Sequence, residues 1–281
     1  MDVLGFCVQA REEGNIMSRY NSVLSIAGSD SGGCAGIQAD IKSISANGAY
    51  AATVITATTA QNTVGVTDIH GLPIAHIKAQ LDAVLCDIEF GAVKIGMLHA
   101  KEVIEVVEER LAFYGVQKII LDPVMIATSG DKLIDDGAID ALKAFFPKTY
   151  LITPNIPEAE LIIGHAISLE NMEASAKEIG EKFSVSVLLK GGHLESKELM
   201  TDVLYLFEAK QLVVINNKSI ATNHTHGTGC SLSSSIATYV ALGFCLEEAV
   251  TKSCAYLNEA ILRGKDKILG KGNGPINHFM L

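Results

Sequence analysis

The chain has 281 residues, and 22 Lys and Arg stand against 32 Asp and Glu, a net charge of −10. That length fits one large α/β domain with a core that needs no staples, and the acidity argues against a nucleic-acid binder working through overall charge. Hydrophobic residues make up 48% and charged residues 19%, which excludes a largely disordered chain.

Short β-branched runs alternate with amphipathic stretches along the chain. Ser22–Ala27 reads as a strand, then a Gly-rich turn, then a helix over Ile37–Ala46 that stops at Asn47-Gly48. Ala51–Thr58 reads as a strand, and Pro73–Asp87 as a helix with Ile74, Ile77, Leu81, Val84 and Leu85 on one face. A strand at Ala92–Ile95, a helix at Val103–Tyr114, a strand at Lys118–Leu121 and a helix at Asp135–Phe146 follow. Next come a strand at Leu151–Thr153, helices at Glu158–Ile163 and Met172–Phe183, and a strand at Val185–Leu189. Val203–Phe207 and Leu212–Ile215 fit an edge hairpin, and helices at Cys230–Leu242 and Leu246–Arg263 close the chain. This order predicts a three-layer α/β/α fold with a mostly parallel central sheet.

The six cysteines are scattered without a CxxC pair, which fits a reducing compartment and no zinc-type spacing. No apolar stretch is long enough for a membrane span. Residues 1–20 are expected to lie outside the fold, and residues 21–281 to form one domain. The apolar start lacks a basic n-region, and Met17 reads as a natural first residue. Deleting residues 1–16 should then leave melting temperature and activity unchanged.

In parallel sheets ligands bind beyond the carboxyl ends of the strands, and that is where the unusual polar residues fall. Gly28-Ser29-Asp30-Ser31-Gly32-Gly33-Cys34-Ala35-Gly36 follows the first strand and allows close backbone approach. Without a following Gly-Lys-Ser/Thr it is not a Walker A loop. Gln61 and Asn62 follow the second strand, and an amide there suits a heteroaromatic edge. Met97 could flank a flat ring or simply fill a gap. Asp122 follows the fourth strand and Glu158 the fifth, and together they could hold Mg²⁺ through water. Lys190 leaves the sixth as a candidate phosphate contact or a plain snorkelling lysine.

The sharpest signal is His224-Thr225-His226-Gly227-Thr228-Gly229-Cys230 directly before a long helix. Gly227 and Gly229 would let the amides of Thr228, Gly229 and Cys230 converge where the helix dipole favours an anion. A thiol there is expected to have a lowered pKa, making Cys230 a proton acceptor. Ten of the 25 glycines (28, 32, 33, 36, 96, 130, 191, 192, 227 and 229) fall in predicted strand-end loops, where they would bring amides to a ligand.

Seven motifs taken together resemble the hydroxymethylpyrimidine/phosphomethylpyrimidine kinases of thiamine synthesis. They are Gly28-Ser29-Asp30 through Asp40, Ala60-Gln61-Asn62-Thr63, Lys94-Ile95-Gly96-Met97-Leu98, Asp122-Pro123-Val124-Met125, Thr153-Pro154-Asn155 with Glu158, Leu189-Lys190-Gly191-Gly192-His193, and His226-Gly227-Thr228-Gly229-Cys230. The resemblance runs from Ser22 to Phe279 and includes the Gly274-Pro275-Ile276-Asn277-His278-Phe279 tail. It implies a ribokinase-like, cytoplasmic enzyme, often dimeric, that uses ATP and Mg²⁺ on a small pyrimidine alcohol, with no nucleic-acid or membrane partner. It further implies that Gln61 pairs with the aminopyrimidine edge and that Gly28, Asp40, Met97 and Val124 shape that pocket. Lys190, Asn155 and His226 would serve the nucleotide, Asp122 and Glu158 the metal. Cys230 would take the hydroxyl proton while the amides of Gly227, Thr228 and Gly229 meet the transferring phosphoryl group. Cys34 departs from the family, which has glycine or a small residue there. Three other readings stay open: a pyridoxine/pyridoxal kinase, a non-catalytic binding protein, and a covalent Cys230 nucleophile with His226 as its base.

Overall fold

The computed structural model describes residues 19–125, 134, 136–192 and 199–279. The start of the chain with Met17 and Cys7, the predicted helix start at Asp135, Gly130 and His193 lie outside the described residues.

The described strands form one sheet in the order β3-β2-β1-β4-β5-β6-β7-β8-β9. In chain order they are β1 (Ser22–Asp30), β2 (Tyr50–Gln61), β3 (Val66–Gly71), β4 (Ala92–Ile95), β5 (Ile119–Leu121), β6 (Leu151–Ile152), β7 (Ser186–Lys190), β8 (Leu199–Leu206) and β9 (Gln211–Lys218). Six neighbouring strands, β2, β1 and β4 to β7, run parallel. β3 is antiparallel to β2, and the β8–β9 hairpin is antiparallel to β7 and closes the other edge.

Among the described residues eight α-helices accompany them: α1 (Gly36–Ala46), α2 (Ile74–Leu85), α3 (Lys101–Phe113), α4 (Asp136–Phe145), α5 (Ile156–Ile163), α6 (Met172–Phe183), α7 (Thr228–Ala241) and α8 (Leu246–Gly264). The strand period of two sorts the core into two layers. Leu24, Ile26, Val93 and Leu121 pack with Ile77 and Leu81 of α2 and with residues of α3 to α6. Val23, Ala92, Ile120 and Leu188 point the other way, onto Ile44 of α1, Leu232 and Ile236 of α7, and Val250 of α8. The three-layer fold is therefore as expected. Among the described residues no helix is long and apolar enough to cross a membrane.

Two boundaries and one whole strand differ from the expectation. β1 continues through Gly28 and Ser29 to Asp30, so the Gly-rich turn begins later than the composition suggests. α7 begins at Thr228, with Gly227 at its N-cap in the left-handed region (φ 82°), so Cys230 is the third helical residue. β3 has no counterpart among the predicted strands. It is an edge strand with Thr67, Asp68, Ile69 and His70 all exposed, so no buried face imposes an apolar alternation on its sequence.

Candidate active site

The chain leaves β1 toward β2 on one side, and β4 returns to pair on its other side, so a crevice opens at the carboxyl ends of β1 and β4. A cleft of about 490 Å³ lies there. Thirteen of the fourteen predicted site residues line it: Gly28, Gln61, Met97, Asp122, Val124, Asn155, Glu158, Lys190, His226, Gly227, Thr228, Gly229 and Cys230. Asp40 does not.

At one group of contacts, the Met97 methyl covers Gly28 so closely that a Cβ at Gly28 would lie 2.7 Å from it. Gln61 ends β2. Its Oε1 accepts from Thr59 Oγ1 at 3.1 Å, and its Nε2 lies 3.1 Å from His226 Nε2. His226 is buried, and it also sits 3.8 Å from an Asp30 carboxylate oxygen. The contacts of His226 are therefore with Gln61 and Asp30, at the Gln61 end of the cleft. Its backbone explains this: the His226 amide bonds Gly274 O at 3.1 Å, which ties the loop to the C-terminal tail.

In a second group, Lys190 Nζ donates to Asp122 Oδ1 at 2.9 Å, and Thr153 Oγ1 donates to the same oxygen at 3.1 Å. A Cβ at Gly229 would sit 3.4 Å from Asp122 Oδ2 and 3.5 Å from Lys190 Nζ, so the start of α7 faces this pair. Burial pulls the Lys190 ammonium down, but Asp122 and Glu158 outweigh it and leave its pKa raised. Glu158 and Asn155 form a capping box on α5: Asn155 Oδ1 accepts the Glu158 amide and Glu158 Oε2 accepts the Asn155 amide, both at 2.9 Å. The Asn155 carbonyl oxygen is thus committed to its own helix, which leaves its side-chain NH₂ for a ligand. Burial, with Asp122 nearby, pushes the Glu158 carboxyl up to about 7, against the pull of Lys190.

The thiol at the head of α7 overturns one expectation. Burial pushes Cys230 up to about 11, the opposite of the lowering that a helix N-terminus alone would give. Lys94 and a hydrogen bond from the Gly36 amide pull it down, but Asp40 and Asp122 add to the rise.

Asp40 is corrected outright. It is fully buried beneath the cleft, where Lys94 Nζ lies 2.8 Å from both its oxygens. Ser25 Oγ and Ser234 Oγ each donate to it at 2.6 Å. A carboxylate with four such contacts from three donors ties β1, β4, α1 and α7 together and has no direction left for a substrate. Lys94, which lines the cleft, is the residue that the motif reading passed over. The signal was present: a lysine inside the otherwise apolar strand Ala-Val-Lys-Ile must find a buried partner.

Several of the ligand-approaching glycines have other work. A Cβ at Gly96 would lie 2.8 Å from Lys94 Nζ, at Gly191 1.9 Å from Thr201 O, and at Gly227 1.9 Å from Cys34 O. They make room for the protein's own atoms. Of the remaining cysteines, Cys34 and Cys254 are buried while Cys86 and Cys245 are exposed.

The phosphomethylpyrimidine kinase family matches residues 30–277. The chain belongs to that family. It is 45% identical over 259 residues to the hydroxymethylpyrimidine/phosphomethylpyrimidine kinase of Rhizobium meliloti, covering 91% of this chain and 96% of that one. It is 46% identical over 261 residues to the thiamine biosynthesis bifunctional protein ThiED of Geobacter sulfurreducens, covering 92% of this chain but 52% of the relative, so it spans about half of that longer protein. Among solved structures, the phosphomethylpyrimidine kinase of Clostridium difficile is 43% identical with a TM-score of 0.75, over 85% of this chain and 99% of that one. The ADP complex of Bacillus subtilis pyridoxal kinase is 29% identical with a TM-score of 0.84, over 92% and 98%. These likenesses place the fold in the ribokinase-like class.

Proposed function

We propose that this cleft carries the γ-phosphoryl group of ATP to the hydroxymethyl oxygen of 4-amino-5-hydroxymethyl-2-methylpyrimidine, and then to the phosphate of the product, giving the diphosphate for thiamine synthesis. One observation carries the reading: a ring-edge amide, Gln61, and the amide-rich head of α7 with Cys230 open into the same cleft. Gln61 offers both a donor and an acceptor to an aminopyrimidine, over the platform of Gly28 and Met97. The first four amides of a helix lack partners within it, and in α7 the Gly229 and Cys230 N–H groups are among these. Such preorganised donors stabilise charge on a transferring phosphoryl group, where most of the catalysis in this chemistry arises. Cys230, as thiolate, would receive the hydroxyl proton in the first transfer. The second acceptor is already an anion and has no proton to give up.

ATP use is supported by the family and by solved neighbours such as Staphylococcus aureus pyridoxal kinase in complex with ADP. The donor set fits Mg²⁺. Two buried carboxylates lie close enough to perturb one another, and among the described residues Asp122 Oδ2 has a long 3.5 Å contact from Ser233. When bound, the ion would neutralise phosphate charge. Lys190 would orient the phosphates and Asn155 would offer its side-chain NH₂. A cytoplasmic homodimer with residues 21–281 as one domain completes the reading, tested by light scattering and by truncation at Asn21.

The pyridoxal kinase fold match favours one competitor, a pyridoxal or pyridoxine kinase. Side-by-side turnover decides. A phosphorus NMR assay with ATP and Mg²⁺ should show pyrimidine monophosphate and then diphosphate. Faster turnover of pyridoxine than of the pyrimidine alcohol would reverse the assignment.

A further inference from the structure

Three side chains that play no part in the phosphoryl transfer described above, or only adjoin it, converge behind the Gln61 end of the cleft. An Asp30 oxygen, the Cys34 sulfur and a His226 nitrogen lie within 4.8 Å of one another, and all three residues are buried. Their convergence has a backbone cause. Gly227 lacks a side chain and so rests directly on the Cys34 carbonyl, which brings the residue before it, His226, onto the 30–36 turn.

We infer that Asp30, Cys34 and His226 form a site for a thiophilic divalent cation of the Zn²⁺ class, and that a cation bound there blocks the pyrimidine end of the cleft. The donor set is carboxylate oxygen, thiolate sulfur and imidazole nitrogen, a combination that suits Zn²⁺ and not Mg²⁺. The carboxylate is held in place by three amides: Gly32 on Oδ1 at 2.8 Å, and Cys34 and Ala35 on Oδ2 at 2.9 and 2.8 Å. Outer hydrogen bonds of that kind are what fix a ligand's orientation in metal sites. Three of the four lone-pair directions of the carboxylate are used in this way, and the fourth, on Oδ1, stays open. His226 Nε2 faces the NH₂ of Gln61, and an imidazole nitrogen that accepts from an amide carries the lone pair a metal needs.

Three ligands from the protein leave the fourth tetrahedral position open. Asp30 and His226 line the cleft and Cys34 lies behind them, so the open position faces the cleft. Binding releases the Cys34 thiol proton to solvent. It also takes Nε2 away from Gln61, which then loses one of the two contacts that orient its amide. Inhibition should therefore compete with the pyrimidine and not with ATP.

The test uses the full chain at buffered free Zn²⁺, so that ATP does not sequester the metal. Zn²⁺ should raise the apparent KM for the pyrimidine alcohol and leave kcat unchanged. Cys34→Ala should retain the zinc-free rate but need about 10-fold or more free Zn²⁺ for the same inhibition. Independently of any kinase activity, Co²⁺ alone should give a sulfur-to-metal charge-transfer band that Cys34→Ala abolishes. The other cysteines are intact in that variant, so a band that survives, or inhibition that is unchanged, places the metal on another thiol and overturns the inference. If Cys34→Ala does not fold, Cys34→Ser keeps the volume and must lose the same band. A chain that shows the band but no pyrimidine turnover would refute the proposed function and leave the metal site standing.

Discussion

Lys94→Met removes the cation from a fully buried pair. Asp40 then keeps its two serine donors but has no counter-charge in a site without exposure. Breaking a buried ion pair from one side costs about 3–5 kcal/mol, because the remaining charge must be neutralised or stay unpaired. Unfolding entropy of about 2.1 cal/mol/K per residue gives roughly 590 cal/mol/K over 281 residues. The melting temperature should therefore fall by about 5–8 °C. Lys94→Met with Asp40→Asn replaces the carboxylate by a neutral amide that accepts from one serine and donates to the other, and it should recover at least half of the loss. Thermal melts by circular dichroism measure all three proteins. A single variant within about 2 °C of the parent, or a double variant no better than the single one, would refute the assignment of Asp40 as the partner of Lys94 rather than of a substrate.

Cys230→Ala should slow the first phosphorylation by about 10²–10⁴-fold and the second by less than about 10-fold, as read by phosphorus NMR; equal losses would remove Cys230 as the proton acceptor. Gly227→Ala places a Cβ 1.9 Å from Cys34 O at a φ of 82°, so both the melting temperature and kcat should drop, kcat by about 100-fold; parental kinetics would show that the loop has room to move. His278 bonds Ser231 Oγ at 2.8 Å, and burial pulls its pKa from 6.5 down to about 4. Only the unfolded chain takes up the proton between those values, so stability is complete above pH 6.5 and is lost as pH falls toward 4. The loss is about 2 kcal/mol by pH 5, and urea melts of His278→Asn should be flatter over that range by this amount.

Much of the architecture was legible because buried strands and amphipathic helices write their periods into the chain. α6 and β4 appear where the pattern puts them, and the edge hairpin does too, with its strands extended to Leu199–Leu206 and Gln211–Lys218. The Gly227–Cys230 turn and the polar strand ends were legible for a related reason, since residues that are poor core material collect beyond the carboxyl ends of strands. β3 was hidden because an edge strand exposed on most of its length needs no pattern. Asp40 and Lys94 were hidden because their meaning is mutual. A helix residue and a strand residue 54 positions apart reveal nothing until the fold closes the pair. The Asn155–Glu158 capping box shows the converse case: a local signature that sequence reading assigned to ligand and metal, and that the helix partly uses for itself.

The raised thiol pKa changes what Cys230 can do. Near neutral pH the group is a thiol in the free protein, and a thiol cannot accept a proton. Lys94 opposes the rise, but both oxygens of Asp40 hold that ammonium, so much of its field is cancelled where the sulfur would feel it. A loose phosphoryl-transfer transition state demands little early deprotonation of the attacking hydroxyl, which lets a small thiolate fraction suffice. The first phosphorylation should then rise with pH from neutral toward about 11, since the deprotonated form is the active one and its pKa is raised. The second should be flat over the same range. Lys94→Met should push the rise to higher pH still, and iodoacetamide modification of Cys230 should follow the same curve. A first-step rate that is flat from neutral pH upward would show that the proton goes to the phosphoryl oxygens and not to sulfur, and Cys230 would then serve to shape the site.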